Sequence, residues 1–332
     1  LALVVGYDEF SESGDFEIRL ERAFFMNYLV TGGAGFIGSH ISRTLLERGD
    51  IVRVFDNFSS GKRENLKGLD VELIEGDLRD ADAVAEAVQG MDIIFHEAAF
   101  VSVPESMEKP QECFDVNVTG TSILFEAARK AGVKRAVFAT SAAVYGDSEA
   151  YPLSEDTPLR QLSPYATSKR VDELYGQLYT SSFNFEVVAL RYFNVYGPRQ
   201  RPDSMYAAAV PIFIRRILDN KPITIFGDGG QSRDLVNVRD VVQANLLAAE
   251  HPAAPGQIFN VCTGVETRLL DLLDILYQIF PDAPKHVHAE PRAGDIYRSI
   301  GTPKKIMDML GYKPQVTLAE GLKEAVEVMR NS

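Results

Sequence analysis

In the stretch SPYATSK, residues 163–169, a tyrosine and a lysine stand four residues apart behind a serine-proline pair suited to opening a helix. Residues i and i+4 are neighbours on any helix surface, so the spacing alone fits an ordinary helix face equally well. Chemistry would ask something specific of it. A free phenol titrates near ~10, too high for a base at neutral pH, and a nearby ammonium favours the phenolate. Ser141, in TSAAVYG at 140–146, is a second candidate. Its hydroxyl could hold a reacting hydroxyl in line and share its proton, or it could cap the end of its own strand.

A place for a redox partner lies upstream, in TGGAGFIGSH at 31–40. Gly32, Gly35 and Gly38 fall where a tight turn, close approach to a pyrophosphate and close helix packing each exclude a side chain. The helix that follows offers free N–H groups to phosphate oxygens. Asp56 ends the run IVRVFD 24 positions after Gly32, near the ~20 expected for a ligand to a ribose hydroxyl. Its carboxylate repels a 2′-phosphate and so favours NAD over NADP, although Lys62 and Arg63 lie nearby. Asp77, in EGDLRD, either reaches the adenine edge or caps the helix that starts near residue 80.

The elements that must position these groups follow from periodicity. Between residues 27 and 190 short β-rich runs (NYLVT, IVRVFD, VELI, DIIF, RAVFAT, EVVALR) alternate with helical segments near 36–48, 80–89, 111–131 and 164–181. That alternation predicts βαβ units and a parallel sheet covered on both faces, a doubly wound α/β (Rossmann) fold. Beyond residue 195 the pattern loosens. PITIF and QIFNV read as strands, and helices are expected near 205–219, 239–250, 267–279 and 317–329, as a smaller interleaved lobe. The expected division is therefore residues 26–195 mainly for the dinucleotide and 196–330 mainly for a substrate, with some segments returning to the first unit. Met26 stands where an initiator would, and residues 1–25 read as a poorly packed extension.

The 332 residues are 45% hydrophobic and 24% charged, enough for a large buried core. No apolar run approaches the ~20 residues of a membrane helix. The net charge of -13 argues against nucleic acid or an anionic membrane as partner. Two cysteines, Cys113 and Cys262, suggest no disulfide framework and make the cytoplasm the default compartment. His286 and His288 would share one face of a strand, but no further ligands stand at a recognised metal spacing.

With the glycine motif, TSAAVYG, YATSK and LRYFNVYGPR (190–199) in that order, the chain resembles the extended short-chain dehydrogenases/reductases. More narrowly it resembles the nucleotide-sugar 4-epimerases of the UDP-glucose and UDP-N-acetylglucosamine type, over about residues 27–330. The resemblance implies a catalytic set of Ser141, Tyr165 and Lys169 and a tightly bound NAD. Phe36 and Ile37 would join the three glycines at the pyrophosphate. Asn57, Ser60, Gly61 and Leu78 would join Asp56 and Asp77 around the adenosine, while Ala98, Ala99, Tyr192 and Val195 would line the nicotinamide half. Tyr192 and Phe193 fit core aromatics at a strand end as well.

The implied reaction has Tyr165 take the C4 hydroxyl proton while the C4 hydride passes to NAD, and the same hydride then returns to the other face of the 4-keto sugar. The substrate contacts implied are Asn194, Phe226 along the nucleotide, Arg233 and Arg292 on the diphosphate, and Asp295 on the ribose, beside Ser141 and Tyr165. Surface ion pairs, Arg233 with Asp234 and Arg292 with Asp295, are the alternative for the arginines. Related 4,6-dehydratases carry an Asp-Glu pair where this chain has Ala142 and Ala143, whose methyl groups transfer no protons. A uronate epimerase or decarboxylase is the nearest enzymatic alternative, and a non-enzymatic dinucleotide sensor is the alternative of another class. Ser299, four places after Asp295, is expected to border the sugar C2 substituent and to admit an acetamido group, unless Tyr297 takes that place. The resemblance further implies a homodimer paired through the helices at about 111–131 and 164–181.

Overall fold

The computed structural model describes residues 25–202, 209–291 and 296–331. The extension expected over residues 1–25 thus lies, but for Phe25, outside the described residues. The chain begins with β1 (Asn27–Thr31), α1 (Phe36–Glu47), β2 (Ile51–Asp56), β3 (Glu72–Glu75), α2 (Ala81–Ala87) and β4 (Ile93–His96). It continues through α3 (Val103–Glu108), α4 (Pro110–Phe114), α5 (Gly120–Ala131), β5 (Arg135–Ser141), α6 (Pro164–Phe183), β6 (Glu186–Tyr192) and β7 (Asn194–Tyr196). There follow α7 (Ala209–Leu218), β8 (Thr224–Phe226), β9 (Ser232–Asn237), α8 (Val238–Glu250), β10 (Ile258–Val261), β11 (Glu266–Arg268) and α9 (Leu269–Ile279). The last elements are β12 (Val287–Ala289), β13 (Arg298–Ser299), α10 (Lys304–Leu310) and α11 (Leu318–Arg330).

Seven parallel strands form the main sheet in the order β10-β6-β5-β4-β1-β2-β3. The inner strands are apolar on both sides because helices cover both faces. One layer packs α1 and α8 through Ile41, Leu45, Val241 and Ala248, and the other packs α2 and α5 through Val84, Leu124 and Phe125. The order reverses between β1 and β4, so the strand ends diverge there and leave a crevice, the usual ligand position of such sheets.

Two details that the sequence did not specify matter for the site. The run QIFNV becomes β10 and joins the large sheet beside β6, since its side chains are buried from both sides. The helix expected over 111–131 forms, opened by Pro110, but residues Asp115–Thr119 widen into a π-helical turn between α4 and α5. Beyond β6, β11, β9 and β13 form a small sheet to which β7 is attached, and β8 pairs with β12. A separate apolar core with Ile214, Ile223, Leu272 and Leu322 holds this lobe together. Among the described residues no helix is long and apolar enough to cross a membrane.

Candidate active site

The crevice begins at the β1–α1 turn. Gly32 has φ +67, and a Cβ there would meet the Ala98 backbone nitrogen at 2.7 Å. At Gly38 a Cβ would collide with the Gly32 carbonyl, so α1 packs against the turn only because both positions are bare. α1 has no side-chain cap at Gly35, whose own N–H donates to the Gly32 carbonyl at 2.9 Å, and the Phe36 and Ile37 N–H groups that follow are left for a ligand. This bare cradle fits a dinucleotide pyrophosphate.

Asp56 ends β2 almost wholly buried. Its Oδ2 accepts from the Ala34 N–H at 2.9 Å and its Oδ1 from the Phe58 N–H at 2.8 Å. Burial raises its pKa and these two bonds lower it. Each oxygen keeps a second lone pair, so the group can fix the turn and still accept from a ribose hydroxyl. Gly61 lies against Ala34 and Asp56, and the Ser60 carbonyl accepts from Arg201 at 3.0 Å. The cap expected as an alternative for Asp77 belongs instead to Asp80, whose side chain accepts from Asp82 and Ala83 at the start of α2. Asp77 binds Arg79 and accepts from Asn57 Nδ2 at 2.9 Å, and the Arg79 bonds hold its carboxyl well below the usual range. Leu78 turns its side chain into the core against Gly120.

The reactive end is set by α6. Ser163 caps it by accepting from Ala166 N at 3.1 Å, with Pro164 in the first turn. Further along, Glu173 grips Arg191 of β6 through two bonds of 2.8 Å and accepts from Thr140 of β5 at 3.0 Å. A buried, bidentate pair of this kind fixes the helix on the sheet. It thereby places Tyr165 and Lys169 over the end of β5.

There Ser141 does two things. Its Oγ accepts from Ala143 N at 3.1 Å, the strand-end cap, and its hydroxyl lies close enough to Tyr165 to draw the phenol's pKa down. Desolvation pushes the Tyr165 phenol up to about 12, the Ser141 hydroxyl pulls it down, and Cys113, Asp172 and Glu97 push it up. Lys169 is not directed at the phenol: its buried ammonium donates to the Ala139 carbonyl at 2.9 Å, and burial lowers its pKa. The lysine therefore does not prepare the tyrosine alone, and a phenolate needs more positive charge than the folded chain supplies.

Sequence reasoning missed three residues here. Asn117, in the π-helical turn, accepts from Phe100 N at 2.7 Å and donates to Ser168 Oγ at 2.9 Å, while Ser168 donates to the Tyr165 carbonyl at 2.8 Å. It ties the loop after β4 to the tyrosine's helix, and no sequence signal marks a π turn within a helical pattern. Asp172 is buried beside Lys169 with Oδ2 unpartnered, and burial raises it to about 8. Glu97 follows β4 directly and accepts from Tyr192 Oη at 2.7 Å, and Asn245 of α8 donates to that same hydroxyl at 2.7 Å. Tyr192 thus has a polar task as well as a buried ring, whereas Phe193 packs with Tyr145, Val144 and Cys262. Ala98 and Ala99 are half-buried between Glu97 and this loop.

Across the crevice a cavity of about 490 Å³ is lined by Asn194, Val195, Phe226, Gln231, Arg233 and neighbours from α7 and α9. Arg233 donates to the Ser232 carbonyl at 2.8 Å. Asp234, the partner that a surface ion pair would need, is buried and accepts instead from Thr263 and Gly264. Arg292 and Asp295 lie outside the described residues. Ser232 and its register partner Arg298 both bond Glu266, so they share one face of the small sheet. Alternation then puts Ser299 on the other face with its register partner Arg233. Tyr297 reaches away to Asp228, its hydroxyl 3.1 Å from Oδ2, over Gly230.

Residues 28–262 match the family model described as the NAD dependent epimerase/dehydratase family. The chain is 42% identical over 314 residues to the UDP-glucose 4-epimerase of Mycolicibacterium smegmatis, covering 92% of this chain and 99% of that one. Among solved structures, a Thermus thermophilus UDP-glucose 4-epimerase complexed with NAD is 40% identical with a TM-score of 0.85, covering 92% and 100%. A UDP-N-acetylglucosamine 4-epimerase from Methanobrevibacter ruminantium, in complex with UDP-N-acetylmuramic acid, is 37% identical with a TM-score of 0.89, covering 92% and 99%.

Proposed function

The chain belongs to the NAD dependent epimerase/dehydratase family, and we propose that it inverts C4 of UDP-hexoses, both UDP-glucose/UDP-galactose and their 2-acetamido counterparts. The observation that carries the reading is the placement of Ser141 beside the buried Tyr165 phenol, with the lysine ammonium anchored on Ala139 and a glycine-bare dinucleotide turn in the same crevice. When bound, NAD supplies the acceptor and donor for the C4 hydride. Tyr165 takes the C4 hydroxyl proton and gives it back, and Ser141 holds that hydroxyl in line. Lys169, fixed on Ala139, would help to hold the nicotinamide half of the cofactor and would contribute positive charge there. Ala142 and Ala143 leave no acid or base for water elimination.

Arg233 and Phe226, on the cavity wall, are the groups that would hold the diphosphate and the nucleotide, with Asn194 beside them. The acetamido activity rests on Ser299, a small side chain sharing Arg233's face, with Tyr297 drawn aside to Asp228. A homodimer is part of the proposal, supported by exposed Leu174, Tyr175, Leu178 and Phe183 along α6 and Phe114 at the end of α4. Sedimentation of wild type and Leu178→Glu tests it, a monomeric wild type refuting it.

The test of function incubates purified protein with each UDP-sugar, without added NAD, and reads the C4 configuration by NMR. Turnover of both sugar pairs, lost in Tyr165→Phe while NAD stays bound, is expected. A Tyr165→Phe protein that still turns over refutes the base assignment, and turnover of uronates alone transfers the reading to the uronate enzymes.

A further inference from the structure

Glu97 occupies a place where a neutral side chain would satisfy every hydrogen bond seen. Its backbone N–H donates to the Thr31 carbonyl at 3.1 Å, which sets it between the ends of β1 and β4, where the strand order reverses. The next residue, Ala98, packs on Gly32. The Glu97 side chain turns to Tyr192, which belongs to the layer shared with α1 and α8, and Asn245 holds that tyrosine in place. The carboxylate is therefore fixed, half-buried, at the reactive end of the dinucleotide crevice. A glutamine would accept from Tyr192 equally well, so what the glutamate adds is charge, in surroundings where charge is costly.

The groups that face this charge are known from each element around it. Tyr165 and Lys169 come from α6, Tyr192 from β6, and α8 contributes only the neutral Asn245. Lys169 is the cation among them, and its ammonium is bonded to Ala139.

We propose that Glu97 is a positioning residue for the cofactor's charge: its carboxylate, held by Tyr192, favours the oxidised, positively charged nicotinamide over the reduced, neutral one. The inference rests on the reading that Tyr165 marks the hydride-transfer end. In the first half-reaction the sugar C4–H bond breaks with its electron pair going to the ring, and the hydroxyl proton goes to Tyr165. The ring's charge is then lost, and with it the attraction to Glu97. Return of the hydride restores both, so Glu97 biases the site against stopping at the 4-keto sugar.

Desolvation pushes the Glu97 carboxyl up to about 7, against the pull of Tyr192 and Lys169, so the effect has its own pH signature. The test uses the purified NAD-loaded protein without sugar, a cyanoborohydride hydride donor, and the near-ultraviolet absorbance of the reduced ring, normalised to free NAD in the same buffer. Glu97→Gln keeps the acceptor for Tyr192 and removes the charge. It should be reduced faster than wild type by on the order of ten-fold above about pH 8, and the two should converge below about pH 6, where the wild-type carboxyl is protonated.

A ratio near one at both pH values overturns the proposal, as does a faster rate that is the same at both, which would mark a packing defect. Should Glu97→Gln fail to fold, the wild-type profile decides: its normalised rate must fall as pH rises through about 7, and a flat profile overturns the proposal. A protein that takes up no NAD overturns this inference and the functional reading together. NAD-loaded protein that inverts C4 but shows a ratio of one overturns the inference alone.

Discussion

Replacing Ser141 by alanine removes one hydroxyl with two partners, and the two losses can be told apart. Loss of the cap on Ala143 N costs stability, about 0.5–2 kcal/mol by analogy with other side-chain caps. Loss of its pull on Tyr165 costs rate. That pull is the largest influence drawing the phenol downward from its raised value of about 12, and a hydrogen bond to a charged group contributes about 1.5–3 kcal/mol. At about 1.4 kcal/mol per pH unit, its removal raises the Tyr165 pKa by roughly one to two further units.

Below that pKa the ionised fraction rises ten-fold with each pH unit, so kcat at neutral pH should fall about 10- to 100-fold. The variant should need a pH one to two units higher, roughly, to match a given wild-type rate. The sign is fixed by the phenol being active when deprotonated: raising its pKa moves the rising limb to alkaline pH. The assay is kcat against pH with UDP-glucose, beside thermal melts and a Ser141→Thr control that restores the hydroxyl. A Ser141→Ala protein that melts earlier but stays within about two-fold of wild type across the pH range refutes the shared-proton role and leaves Ser141 only a strand-end cap.

Ser299→Tyr should abolish turnover of the acetamido sugars while leaving UDP-glucose within about ten-fold, read by separate NMR assays; equal loss of both sugars refutes the gate. Asp56→Asn should lower NAD affinity by about ten-fold and narrow its advantage over NADP, measured on cofactor released from purified protein, because it keeps one acceptor and removes the repelling charge. Asp172→Asn should stabilise the fold at about pH 8, in denaturant titrations. A carboxyl raised to about 8 binds its proton more tightly folded than unfolded, so its cost grows as pH rises from about 4 toward 8, and the gain should vanish below about pH 4.

The large sheet was legible because its first six strands are short β-rich runs that alternate with helical segments, and Gly32, Gly35 and Gly38 sit where only bare backbone packs. The capping chemistry of α6 was equally open, since Ser163 and Pro164 are local signals. What stayed hidden depends on chain segments meeting at a distance. Some segments beyond residue 195 were expected to return to the first unit, but nothing local in QIFNV says which sheet a buried strand joins. The π turn at Asp115–Thr119 kept a helical pattern on either side, so Asn117 gave no sign of its bonds to Phe100 and Ser168. Asp77 was expected at the adenine edge or as a helix cap, but Arg79 holds its carboxylate and the cap falls to Asp80. The Tyr165–Lys169 spacing suggested a direct electrostatic pair, yet the carbonyl of Ala139 holds the ammonium.

That last difference bears on how the reaction is kept in step. Tyr165 is surrounded by groups that oppose its ionisation, Cys113, Asp172 and Glu97, and Ser141 alone of its main neighbours favours it. The folded chain therefore holds the phenol protonated, and further positive charge in the crevice is needed to make it a base. A charge that disappears on accepting hydride would link the two transfers: while the crevice carries it, Tyr165 favours taking a proton from the sugar hydroxyl through its phenolate; once it is lost, the phenol holds that proton until the hydride goes back. Glu97 acts in the same direction from the other side, favouring the state in which the ring is charged. On this argument Glu97→Gln and Ser141→Ala should not be independent. Both act on the balance between phenolate and charged ring, so the double variant's kcat should depart from the product of the single effects, and strict multiplicativity at pH 7 to 8, roughly the range where Glu97 titrates, would refute the coupling.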